Sequence, residues 1–94
     1  MKLGEALEKL VGCGDDAVVL AKPPWTLESE ALIDVLDEQC RVPRDLDQQG
    51  YKYVIDAPVA REALEVFHGR LPPSNRLQEF LLHYADNDAF PNWV

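Results

Sequence analysis

The chain is short of cysteine, of basic residues and of long apolar runs, and each shortage closes off a class of protein. Its two cysteines, Cys13 and Cys40, are too few for a disulfide scaffold and lack the C-x-x-C spacing of zinc or redox motifs. Both are read as reduced thiols. No apolar stretch approaches the roughly 20 residues that cross a bilayer, and MKLGEALEKL carries acids where a secretion signal needs a basic start and an unbroken apolar core. The expectation is a cytoplasmic protein with no membrane partner. Nine lysines and arginines stand against seventeen acids, a net charge of −8. Neutralising phosphates requires clustered basic side chains, so this balance argues against nucleic acid and for a basic partner.

What is present is ordinary globular material. With 47% hydrophobic and 28% charged residues, 94 residues suffice for a single domain, 1–94, with one modest core. Leu3, Ala6, Leu7, Leu10 and Val11 recur at helical spacing, with Gly12 placed as a left-handed cap. AVVLA (17–21) reads as a buried strand, ALIDVL (31–36) as a second, and YKYVID (51–56) as a third. In the third, Tyr51, Tyr53 and Ile55 are expected on one face. A short helix fits after Pro43. Pro58 opens a helix closed by Gly69, and Asn75 and Gln78 have capping-box spacing before a last helix with Leu77, Phe80, Leu81 and Tyr84 buried. This order implies an α+β domain: a small, mainly antiparallel three-stranded sheet with about three helices packed on it.

Motifs for chemistry are sparse. Asp86-Asn87-Asp88 alternates oxygen ligands as a calcium loop does, but Phe90 and Pro91 stand where a ligand and a glycine belong, so the segment reads as a helix-end turn. His83 and Asp86 share a helix face, yet neither H-E-x-x-H nor a Cys/His cluster accompanies them. No metal or cofactor is expected. Cys13 or Cys40 could act as a nucleophile only beside a base, Ser29 and Ser74 lack a nucleophile-elbow context, and no glycine-rich phosphate loop occurs. An enzyme, including a glycosidase with paired carboxylates, is the least supported class.

The acids remain. Through Glu38 the chain holds nine acids and three lysines, so the N-terminal part carries most of the negative field. Glu28, Glu30, Asp34, Asp37 and Glu38 lie on and around the second strand. Two readings are open: a solvated face that keeps a sheet edge soluble, or a recognition surface in which carboxylates beside Trp25 steer and hold a basic partner. At the C-terminus, Phe90 is expected to fold back on the core and Trp93 to face a partner.

The segments LAKPPWTLES, DVLDEQCRVP, QQGYKYVID and LLHYADNDAF resemble, in order, a small bacterial domain family with the pattern P-x-W-[ST]-L, an acidic strand followed by V-P, a strand after a glycine, and Y-x-x-[ND]-D-A-F. Trp25, Thr26, Leu27, Pro43, Gly50, Tyr84, Asp88, Ala89 and Phe90 are the matching positions. The family carries no established enzyme activity, and its size and acidity resemble those of immunity proteins in interbacterial competition. The resemblance therefore implies an immunity-type protein that binds and neutralises a basic toxin domain. The alternative is a regulatory or self-associating module, as monomer or homodimer.

Overall fold

The computed structural model describes residues 1–35 and 42–93. Helix α1 (Leu3–Leu10) leads into strands β1 (Ala17–Ala21) and β2 (Ala31–Val35). Then follow a short helix α2 (Arg44–Gln48), strand β3 (Lys52–Asp56), helix α3 (Ala57–Leu64) with a 3-10 turn over Glu65–Phe67, and helix α4 (Ser74–Asn87). The fold is α+β: a three-stranded antiparallel sheet, order β2-β1-β3, with α1, α3 and α4 packed against it. The Cα radius of gyration is 12.7 Å, against about 12.4 Å for a folded chain of this length. No helix among the described residues is long and apolar enough to cross a membrane.

AVVLA is apolar throughout because β1 is the central strand and both of its faces are covered. Ala17, Val19 and Ala21 face the main core with Leu3, Ala6, Leu7 and Leu10 of α1, while Val18 and Leu20 face a second cluster with Tyr51, closed over by Leu32, Val42 and Leu46. On α3, Ala57, Ala60 and Ala63 form a buried row of small residues that lets the helix approach the sheet closely. Gly4 has an analogous role where α1 meets α4, since a Cβ there would collide with Gln78 Oε1.

The third strand departs from the sequence expectation. Val19 pairs with Ile55 but Leu20 pairs with Tyr53, so Val54 is a bulged extra residue. Tyr53 opposes Leu20 and faces the outer side of the sheet, whereas Ile55 opposes Val19 and faces the main core, which Val54 also joins. The tyrosines and Ile55 therefore do not share a face. The bulge lets two consecutive apolar residues enter the core beneath α3.

Helix ends also differ from expectation. After α1 the chain turns by Gly12 N–H and Cys13 N–H donating to the carbonyls of Lys9 and Leu10 (3.1 and 3.0 Å), with Val11 right-handed and no left-handed glycine. The left-handed positions lie elsewhere, at Gly50, at His68 and Gly69 after the 3-10 turn, and at Asp88 after α4. Asn75 and Gln78 do not form a capping box, because α4 begins at Ser74 behind Pro73. Gln78 instead donates to Glu8 Oε1 at 3.0 Å, tying α4 to α1. The cap on α3 is Asp56, whose Oδ1 accepts from Val59 N–H at 2.9 Å and whose Oδ2 accepts from Tyr53 Oη at 2.7 Å.

Phe80 is fully buried at the centre of an aromatic cluster, with the rings of Phe67, Phe90 and Trp93 at 4.8, 5.8 and 6.1 Å. Phe90 stacks on Phe80 and meets Tyr84 at a tilt, yet stays 48% exposed. Phe80→Ala should therefore cost about 3–5 kcal/mol, and Phe90→Ala only about 1 kcal/mol, for partial burial and ring contact. Equilibrium chemical denaturation measures both, and equal losses would contradict the difference in burial.

Candidate functional site

Residues 22–30 connect β1 to β2, and their polar groups hold one another. Ser29 Oγ accepts from Thr26 N–H at 2.8 Å and donates to Pro24 O at 2.9 Å, and Ser29 N–H donates to Thr26 O at 3.1 Å. The indole N–H of Trp25 donates to Ala21 O at 3.3 Å, and the ring packs against the main core. The same segment supplies the cap that α1 lacks in its own sequence. Leu3 and Gly4 donate their N–H groups to the carbonyls of Ser29 and Leu27, at 2.8 and 3.0 Å. The loop that carries Trp25 and Leu27 is thus fixed to β1 at one end and to a helix N-terminus at the other.

Across from this loop lies one face of α4. Glu79, Leu82, His83, Asp86 and Asn87 have the spacing of neighbours on a helix surface, and together with Trp25 and Leu27 they line an open cleft of about 300 Å³. Its base is apolar and its rim carries two carboxylates. Glu79 lies 3.5 Å from Arg76 Nη1 in an exposed pair, while the side chain of Asp86 has no hydrogen-bond or ion-pair partner among the described residues. Asn87 Nδ2 donates to His83 O at 3.1 Å and closes the end of the cleft. No group of three or more His, Cys, Asp or Glu that could hold a metal occurs among the described residues.

Of the acidic residues singled out from sequence, the described ones, Glu28, Glu30 and Asp34, are spread along the β1–β2 loop and β2. Glu28 pairs with Lys2 at 2.8 Å, raising the Lys2 pKa above its ordinary value by hydrogen bonding and charge. Glu30 pairs with Lys22 at 3.4 Å. Both pairs are exposed, so they are weak and leave the carboxylates accessible. Asp34 accepts from Val35 N–H at 2.7 Å and lies on the outer face, in a row with Val18 and Asp56. At about 3.3 Å per residue, Glu30 and Asp34 are roughly 13 Å apart along the strand. Asp37, Glu38 and Cys40 lie outside the described residues. Trp25, Glu28 and Glu30 thus share the β1–β2 loop, whereas Asp34 sits toward the far end of β2.

Trp93 is 39% exposed and is held within its own molecule. Its ring stacks at 6.4 Å from Phe67 and meets Phe80 edge-on at 6.1 Å, and the Arg76 guanidinium stands over it at 4.1 Å from the centroid. It contacts the core as Phe90 does, and both keep an exposed part. Sequence reasoning missed Glu79, and weighed Asp86 as a metal ligand and as part of a helix-end turn but not as a binding residue. Their acid-apolar-acid spacing on α4 was visible, but its partner loop lies some fifty positions earlier in the chain. Comparison with known proteins finds no family model that matches the chain, no similar curated protein and no similar solved structure.

Proposed function

We propose that the chain is an immunity-type protein that neutralises a cognate, basic toxin domain by direct contact through its acidic surface. The observation that carries this reading is the cleft between the Trp25 loop and α4. An aromatic ring on a hydrogen-bonded loop, beside accessible carboxylates, combines an anchor with charge steering. Glu28 and Glu30 extend the negative surface along the same loop. A net charge of −8 supplies the long-range field.

A second reading, self-association, is favoured by the position of β3 as an outer strand. In an antiparallel copy centred on Val54, Lys52 would oppose Asp56, a self-complementary pairing. Three features oppose it: the bulge at Val54, a lysine on the edge, and like net charge on both copies. Sedimentation should accordingly give a monomer, and a dimer lost on Lys52→Asp would instead support self-association.

The neutralising reading has a direct biological test. The open reading frame beside the gene should encode a toxin domain whose expression stops growth unless this chain is co-expressed. Glu79→Lys together with Asp86→Lys should slow association with that domain about tenfold and flatten its salt dependence. Unaltered association kinetics in this variant would remove the cleft from the interface.

A further inference from the structure

A guanidinium group is planar, weakly hydrated and able to stack on an aromatic ring while its N–H groups fork toward carboxylates, whereas an ammonium is a compact point charge. The cleft has the surfaces that a guanidinium uses. Leu27 and Leu82 offer an apolar base for the methylene stem, and the Trp25 indole forms a wall. Glu79 and Asp86 are seven positions apart on α4, about 10 Å along the axis, too far to share one small ion but on either side of a planar fork. A volume of about 300 Å³ is at the bottom of the roughly 300–1,000 Å³ range of ligand sites, which suits one side chain and not a cofactor.

The molecule displays the same contact set internally. Arg76 stands over the ring of Trp93 at 4.1 Å and reaches Glu79 at 3.5 Å, so an arginine already lies between an indole and a carboxylate at the neighbouring position. In the Trp25 cleft the indole and Glu79 are again present, and Asp86 has no partner of its own.

We infer that the cleft is the receptor for a single arginine side chain presented by a protein partner; this rests on the reading above that the partner is basic. The indole stacks on the guanidinium plane, Glu79 and Asp86 accept its N–H groups from the two sides, and the leucines cover its stem. Because the loop and α4 are both fixed before binding, little order has to be gained on association.

The test uses the full chain, labelled with nitrogen-15, titrated with N-acetyl-arginine amide. The citrulline and lysine analogues serve as uncharged and point-charge controls. The Trp25 indole N–H signal and the amides of Leu82–Asn87 should shift saturably with the arginine compound and at least about tenfold more weakly with either control. The exposed double variant Glu79→Gln, Asp86→Asn should fold normally by circular dichroism and lose about tenfold in affinity, the scale of a lost hydrogen bond to a charged group. Equal binding of the citrulline compound, or an unchanged affinity in the double variant, would overturn the assignment. Octalysine at low salt separates the two levels of the reading. Binding of octalysine without a response to the arginine compound would remove the arginine pocket and leave a basic partner in place. If neither octalysine nor octa-arginine bound, the basic-partner reading would fall with it.

Discussion

The burial of Phe80 is the contact on which the rest of the arrangement depends. Its ring is fully buried and meets Phe67 from the 3-10 turn after α3, and Phe90 and Trp93 from the C-terminal tail. With this ring turned inward, the rotation of α4 is set. Leu77, Phe80 and Leu81 point into the core, and Glu79, Leu82, His83 and Asp86 are left on the flank that meets the Trp25 loop. Burying a phenylalanine contributes about 1.5–3 kcal/mol, a large part of the 5–15 kcal/mol that holds a whole domain together. The orientation of the cleft is therefore an outcome of core packing.

The loop side of the cleft is fixed by a different force. Here backbone hydrogen bonds dominate: α1 begins without a capping side chain, and its first N–H groups are satisfied by carbonyls of the loop. A buried or half-buried donor that loses its acceptor costs about 1–3 kcal/mol, so the loop and the start of α1 stabilise each other. The two walls of the site are thus positioned by apolar burial on one side and by polar satisfaction on the other. Neither wall depends on the charges that rim it: Asp86 is unpaired among the described residues and Glu79 is held only in an exposed pair with Arg76.

Much of the architecture was legible in the sequence because it follows from composition and period. AVVLA reads as a buried strand, since an unbroken apolar run of that length needs cover on both faces, and the alanine and leucine spacing of α1 marks its buried stripe. On α3, by contrast, the stripe expected from Val59, Ala63, Val66 and Phe67 is turned so that Val59 is exposed and Ala57, Ala60, Ala63 and Leu64 are buried. The bulge was not legible. YKYVID reads as an alternating strand whose one irregularity is the apolar Val54 between Lys52 and Asp56, and only the pairing with β1 shows that Val54 is inserted and that Tyr53 and Ile55 fall on opposite faces. The capping of α1 was hidden for a related reason, as its acceptors come from a loop that is distant in sequence. Of the site, Trp25 and the negative field could be read from the chain, but the face of α4 opposite Trp25 could not. Its meeting with the loop is a product of tertiary packing, and of the acids that drew attention around β2 the described ones, Glu28, Glu30 and Asp34, are dispersed, the first two in exposed ion pairs with lysines.

That the Trp25 cleft is the binding surface is most directly tested by mapping amide shift changes across the chain on addition of octa-arginine at moderate salt. Changes centred on Trp25–Leu27 and on Glu79–Asn87, with smaller ones at Glu28 and Glu30, are the predicted result. Changes distributed over all acidic positions alike, or centred on the outer edge of β3, would contradict it.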